Sequence, residues 1–177
     1  MKINLDSPVI VFLTTVADFM ILNILFILCC APVITIGPAV SALYTITMRE
    51  ARHEGGYIFK PFFKAFKNNF KQAFLLSILY LIIGASFVFG VKFWIEKPEF
   101  STVNQVILVI TGVFAVIFIF SLLYVFALIA RFDNTIFKSV KNAVMLAVFN
   151  LRETFLLTLI HVIVIVLMIL QKVFGFL

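Results

Sequence analysis

Long apolar stretches, separated by short basic connections, set the pattern of this chain. No charged residue occurs in Ala73–Val91 or in Phe100–Ala130, and His161 is the only titratable residue in Thr154–Gln171. Such runs are typical of transmembrane helices, because about 20 helical residues cross the hydrocarbon core of a bilayer. A soluble helix of this length would carry a polar stripe, and these runs have none. The pattern therefore predicts an all-α, polytopic membrane helical bundle.

Four transmembrane helices are predicted, at about residues 9–31, 73–95, 102–130 and 154–176. A further helix over residues 38–53 has only about eleven residues before Arg49. At a rise of about 1.5 Å per residue, this helix is too short to cross a core of about 30 Å. We expect it to be half-inserted and packed against the other helices, within one integral membrane domain over residues 1–177.

The stretch Cys29–Ile46, CCAPVITIGPAVSALYTI, breaks the first apolar run without becoming polar. Pro32 lacks a backbone donor and disfavours helix at the residue before it, so the first span should end there. Gly37 and Pro38 should restart a helix, with glycine as the cap and proline at the first helical position. Val33–Ile36 is expected to be extended, with the Thr35 hydroxyl bonding backbone groups that the break leaves free.

The break has two interpretations. Irregular backbone at membrane depth persists only where protein buries it or a cavity hydrates it. The break at Pro32 is either a rigid corner that folds the short helix back onto the bundle or, as in many transporters, a broken helix that lines a substrate path. The second half of the chain has no matching Gly/Pro break, which favours the corner.

Composition agrees with the membrane assignment. The chain is 64% hydrophobic and 12% charged, with a mean hydropathy of +1.21, whereas soluble domains carry about 25% charged residues. The formal net charge of +6 could indicate a nucleic-acid partner. However, the basic residues flank the apolar runs, as in membrane proteins that are oriented by charge, so nucleic acid is not expected.

The basic residues also predict the orientation of the chain. The connections at residues 49–72 and 131–153 are the richest in Lys and Arg, so they should face the cytoplasm of a bacterial inner membrane. The loop at 96–101 and the C-terminus should then lie outside. The N-terminus lies outside as well if the short helix does not cross.

The first cytoplasmic arm, residues 58–72, is amphipathic. Its phenylalanines recur at spacings of three and four, and its lysines follow the same spacing along one edge of the aromatic face: Phe59, Phe62, Phe63, Phe66 and Phe70; Lys60, Lys64, Lys67 and Lys71. Aromatic residues in the acyl boundary and lysines at anionic headgroups are typical of an interfacial helix. The arm is either a membrane-surface anchor or a docking face for a cytoplasmic partner.

A second arm, residues 135–150, is similar to the first. FKAFKNNFKQAFLL begins at Phe63, FKSVKNAVMLAVFN begins at Phe137, and each leads into an apolar span. The repeated order of span, arm and span favours a duplicated helical hairpin with halves at 9–95 and 102–176. Chance similarity over so short a pattern is the alternative.

The polar residues within the apolar spans that are the candidates for a site are Asp18, Asn23 and His161. A charge near the middle of a membrane costs about 2.5–3.5 kcal/mol on insertion scales, so Asp18 should face inward, towards polar groups of the short helix or the last helix. His161 is its natural partner if the first and last helices touch. Asp18 is then either a packing contact or a proton or solute site, unless it sits in the outer interface.

No enzyme signature accompanies these residues. The chain has no Ser-His-Asp order, no Gly-rich phosphate loop and no paired intramembrane carboxylates. The two histidines, His53 and His161, lie far apart in the sequence, and neither has a cysteine neighbour at metal-ligand spacing. Cys29 and Cys30 are adjacent within a span and are interpreted as small buried residues. Catalytic, cofactor and metal sites are therefore not expected.

Several segments together resemble the YesL-like family of bacterial integral membrane proteins: Leu22-Asn23, Cys29–Pro38, Ala42–Tyr44, Glu54–Phe59 and Phe62–Gln72. The resemblance covers essentially the whole chain and is most specific in residues 22–72. It implies a domain of unknown function whose members are commonly encoded beside carbohydrate ABC importers and polysaccharide-degrading enzymes. It supplies no catalytic residues.

The expected function is accessory or regulatory to carbohydrate (oligosaccharide) uptake by an ABC importer, without catalysis. The expected partners are the lipid bilayer and the permease or ATPase subunits of that importer, and a homo-oligomer is also considered. The alternative is a small oligomeric transporter or channel in its own right.

Overall fold

A computed structural model describes residues 8–52, 54, 56–96 and 101–174 of the chain. These residues form helices joined by short connections: α1 Pro8–Cys30, α2 Ile36–Ala51, α3 Phe59–Ile95, α4 Thr102–Arg131, α5 Ile136–Phe149 and α6 Leu151–Phe174. A 3₁₀ turn at Val33–Thr35 precedes α2. The described ranges contain no strand, and the predicted all-α class is confirmed.

Four of the helices are long and apolar enough to cross a membrane: Ile10–Cys30, Phe59–Ile95, Thr102–Arg131 and Leu151–Gln171. They correspond to the four predicted spans. The short helix α2 is not among them, in agreement with its predicted role as a fifth, non-spanning helix. The chain is therefore a polytopic helical membrane protein.

The first arm and the second span form one helix. We expected an arm over residues 58–72 and a separate span over 73–95, but α3 is continuous for 37 residues, or about 55 Å. The physical reason is the absence of any Gly or Pro between Pro61 and Gly84. Pro61 lies in the first turn, where a missing backbone donor is tolerated. The arm is thus the first four turns of a longer helix.

The described residues form two compact units, and the first contains Met1–Ile83 with Phe126–Ile136. Its core joins α1, α2 and the start of α3 through buried apolar side chains: Leu22, Leu25, Ala42, Ile46, Ile58, Phe62 and Ala65. Phe62 is completely buried there, whereas the neighbouring Phe63 is 41% exposed. Part of the aromatic face of the arm is therefore buried against α1 and α2. The interpretation of the arm as an interfacial helix had placed this face at the membrane instead.

The second unit contains Gly84–Val125 with Phe137–Leu177. Its packing includes the rings of Phe87 and Phe118, whose centroids lie 5.5 Å apart. The side chain of Thr154 is completely buried. Its hydroxyl lies 2.8 Å from the Tyr124 hydroxyl and donates to the carbonyl of Asn150 at 2.8 Å. Thr154 therefore fixes the start of α6 against α4.

We expect Thr154→Val to lower the free energy of unfolding by about 1 kcal/mol, because the buried Tyr124–Thr154 hydrogen bond is lost at nearly constant volume. The measurement is thermal unfolding of the detergent-solubilised protein. Thr158→Val is the matched control, since the Thr158 hydroxyl donates only to the Thr154 carbonyl within α6. Equal unfolding midpoints for the two variants would contradict the anchoring role.

Candidate functional site

The corner after α1 is a tight turn rather than an extended segment. Pro32 has φ −79° and ψ 122°, and Val33–Thr35 forms a 3₁₀ turn. The expectation of an extended segment was wrong, because the Thr35 side chain stabilises the tighter geometry. Its hydroxyl is 2.5 Å from the Cys29 carbonyl and 2.7 Å from the Pro32 carbonyl. The single Thr35 hydroxyl hydrogen is therefore shared between a carbonyl of α1 and the carbonyl of Pro32.

The restart of the helix is shifted by two residues. α2 begins at Ile36, with Thr35 in the capping position, so that Pro38 falls inside the first turn instead of at its first residue. This position suits proline, because the first four N–H groups of a helix have no intrahelical acceptor. Helix starts inferred from caps shift by one or two residues in this way.

Gly37 is required by packing. A methyl group at Gly37 would overlap the Ser77 hydroxyl, lie 2.8 Å from the Ala73 carbonyl and lie 3.0 Å from the Phe126 ring. Further along α2, the buried Ser41 hydroxyl accepts a hydrogen bond from the Asn69 amide at 3.1 Å. The small residues that follow the break therefore bring α2 against α3, which favours the rigid-corner interpretation. No pattern in the sequence indicated that Asn69 and Ser77 contact α2.

The polar residues Asp18 and Asn23 lie in different surroundings on α1. Asp18 is half-buried on the face that carries the core residues Leu22 and Leu25, and it has no hydrogen bond to a described residue. Asn23 is exposed and donates to the carbonyl of Phe19 in its own helix. Asp18 therefore lies on the packed side of α1, but the described part of α2 supplies it with no polar partner.

His161 lies on an exposed helix. Its Nδ1 is 2.7 Å from the Leu157 carbonyl, one turn back in α6. Every side chain from Leu159 to Gln171 is exposed, His161 included. In the single chain, His161 is therefore not an interior residue. The pairing of His161 with Asp18 stays a prediction.

The lysine stripe of the arm lines two different depressions. Lys60, Lys64, Lys67 and Lys71 are all exposed. Lys60 and Lys64 line a cavity of about 440 Å³ between α2 and α3, named here the basic cavity, which is bounded by Thr45, Ile46, Arg49, Lys60, Pro61, Lys64, Ala65 and Asn68. Lys67 and Lys71 instead line a depression shared with Phe63, Phe66 and Phe70.

The sequence did not reveal the third cation of the basic cavity. Arg49 belongs to the last turn of α2, eleven residues before Lys60, and no helical periodicity connects them. The connection between α2 and α3 brings them together. In it the Arg49 Nε donates to the Glu54 carbonyl at 3.0 Å, and Gly56 adopts a φ of 147°, which side-chain-bearing residues rarely adopt. His53 and Gly55 lie outside the described residues.

The geometry defines a class: a polytopic, all-helical membrane protein with a proline corner and a basic cavity at one helix junction. Residues 19–91 match the family model described as "Protein of unknown function, DUF624", the family that includes the YesL-like proteins. The expected resemblance is confirmed over this stretch, which contains the corner, α2 and the basic cavity. No curated protein and no solved structure matches the chain.

Proposed function

We propose that this protein is a non-catalytic component of the bacterial inner membrane that assists or regulates carbohydrate import by an ABC importer. The resemblance to the YesL-like family, with its genes beside carbohydrate importers, supports this role. In the proposed orientation, the connections at 49–72 and 131–153 face the cytoplasm, where the ATPase subunits of an importer lie. The exposed lysines of the arm agree with that placement.

The observation that carries the proposal is the exposure of α6. Residues 151–171 form a span of suitable length, yet every side chain from Leu159 to Gln171 is exposed. Lipid alone would satisfy the apolar side chains but not the second ring nitrogen of His161, because only Nδ1 contacts the Leu157 carbonyl. Polar groups within membrane spans favour contacts with other helices, where they form hydrogen bonds across the interface. A helix of the importer's permease subunits is therefore the proposed neighbour of α6.

The alternative is a small oligomeric transporter or channel. The same exposed helix would then pack against copies of this chain, and His161 would line a path between them. The exposure of His161 within α6 supports an assembly in either case. The two functions differ in whether the protein moves a solute by itself.

Tagged protein should be purified from its native membranes in mild detergent and its partners identified by mass spectrometry. We expect permease or ATPase subunits of a carbohydrate importer to be enriched, and we expect His161→Leu to reduce the enrichment several-fold. Val162→Leu is the matched control and should leave the enrichment unchanged, because Val162 is also exposed on α6 but has an apolar side chain that lipid satisfies.

Two results would contradict the proposal. One is equal recovery of importer subunits from tagged and untagged membranes. The other is solute flux into vesicles that contain only the purified protein, which would establish the alternative. Thermal unfolding of His161→Leu checks that a loss of partners does not reflect a loss of folding, because the Thr154 anchor of α6 is left intact.

A further inference from the structure

The basic cavity concentrates positive charge without a counter-charge. Arg49, Lys60 and Lys64 line it, and its lining includes no carboxylate. In the described ranges the ion pairs are Arg52 with Glu54 and Lys92 with Glu96, so none of the three cations has an acidic partner there. Three cations around one cavity repel each other, and an anion between them removes that repulsion.

The start of α3 adds to the positive potential. The first turn of α3 contains Lys60 and no acidic residue, although the N-terminus of a helix favours negative charge. Lys64 follows one turn later. Cations at this end of a helix are modestly disfavoured, so the local sequence agrees with the cavity in favouring a negatively charged occupant.

The available donors suit a phosphate group. Arg49 uses its Nε for the Glu54 carbonyl, which fixes the guanidinium and leaves its terminal nitrogens available. A guanidinium binds phosphate through paired hydrogen bonds, and lysines add point charges. The Asn68 side chain has no hydrogen bond to a described residue, so its amide is a further donor. The Thr45 hydroxyl donates to the Ser41 carbonyl and contributes only an acceptor.

The size of the cavity indicates more than a bare ion. Its volume of about 440 Å³ falls within the range of about 300–1,000 Å³ that is usual for small-molecule sites. Ile46 and Ala65, both buried, and Pro61 form its apolar wall. We infer that the basic cavity binds a phosphate ester, with the phosphate between Arg49, Lys60 and Lys64 and the attached organic group against this wall. This inference does not depend on the proposed role in import.

Two sources carry this chemistry: a soluble organic phosphate and the headgroup of an anionic phospholipid. Glycerol 3-phosphate should be titrated calorimetrically into the detergent-solubilised protein. In a second arm, native mass spectrometry should measure the retention of phosphatidylglycerol against phosphatidylcholine. Binding in the first arm indicates a soluble ligand, binding only in the second indicates a lipid headgroup, and either supports the site.

The lysine stripe offers matched controls. We expect Lys60→Gln and Lys64→Gln each to weaken binding about tenfold, since each removes a charge-assisted hydrogen bond. Lys67→Gln and Lys71→Gln remove the same charge from the same stripe but line the other depression, and should change binding less than about twofold. All four lysines are exposed, so these variants should fold.

Arg49→Lys is a sharper variant, because it keeps the charge and removes the paired hydrogen bonds. It should weaken binding of the phosphate ester while leaving the electrostatic attraction of the surface in place. Equal losses for all four lysine variants would show diffuse surface charge and overturn the site. The absence of binding in both arms would overturn it as well.

Discussion

Phe62→Ala is expected to cost about 3–5 kcal/mol of the free energy of unfolding, the largest loss of any single truncation considered in the first unit. Phe62 is completely buried between α1, α2 and α3, in contact with the cluster that includes Leu22, Leu25 and Ile46. Its removal leaves a cavity at the point where the three helices meet. The effect is measured by thermal unfolding in detergent, with the fraction of protein that remains monodisperse after heating as the readout.

The matched control is the next residue. Phe63 is 41% exposed, and its main contacts are the rings of Phe59 and Phe62, at 5.0 and 5.7 Å between centroids. Phe63→Ala should therefore cost only about 1 kcal/mol, the usual value of an aromatic pair. If the two truncations destabilised the protein equally, the assignment of Phe62 to the core would be wrong. The comparison holds residue type, helix and charge constant.

Gly37→Ala should destabilise the protein by about 1–3 kcal/mol, because the added methyl group enters the contact between α2 and α3. The Ser77 hydroxyl can rotate away from it, but the Ala73 carbonyl, 2.8 Å from the new atom, belongs to the backbone of α3. Either the two helices separate or the carbonyl shifts. The measurement is again the midpoint of thermal unfolding.

Two further variants sharpen this test. Gly112→Ala in α4 adds a methyl group where nothing lies within 4 Å, so the better helix propensity of alanine should leave stability unchanged or raise it by up to about 1 kcal/mol. Gly37→Ala combined with Ser77→Ala should recover part of the loss, since one of the overlaps disappears. A midpoint for Gly37→Ala at or above that of the unchanged protein would refute the close contact.

The elements of the fold were predictable where the signal is local. Long apolar runs located the four long helices, and Pro32 located the end of α1 to within two residues. The continuity of α3 was also visible in principle, because residues 62–83 contain neither Gly nor Pro. The difference in polarity between residues 58–72 and 73–95 suggested an arm and a separate span. A change in polarity shows that the surroundings of a helix change, but it does not interrupt the helical backbone.

The tertiary pairs were not predictable in this way. Helical spacing placed Phe62 and Phe63 on one aromatic face, yet only the approach of α1 and α2 decides which of them is buried. Arg49 meets Lys60 and Lys64 through a turn with its own backbone geometry. The buried hydroxyl of Thr154 is hydrogen-bonded to that of Tyr124, thirty residues earlier in the chain. Contacts of this kind depend on how the helices pack, which a single sequence does not show.

The uninterrupted start of α3 has a consequence for how this chain tolerates changes in length. Successive helical residues are rotated by about 100°, so one inserted residue between Ala65 and Asn69 would turn the lysines relative to everything that follows. The Asn69 bond to Ser41 and the close approach of Gly37 to Ala73 fix the angular phase of the later turns. The segment from Lys60 to Ala73 should therefore tolerate no insertion or deletion of a single residue. Exposed positions such as Lys64 and Lys67 should accept substitutions, whereas the spacing of this segment is fixed.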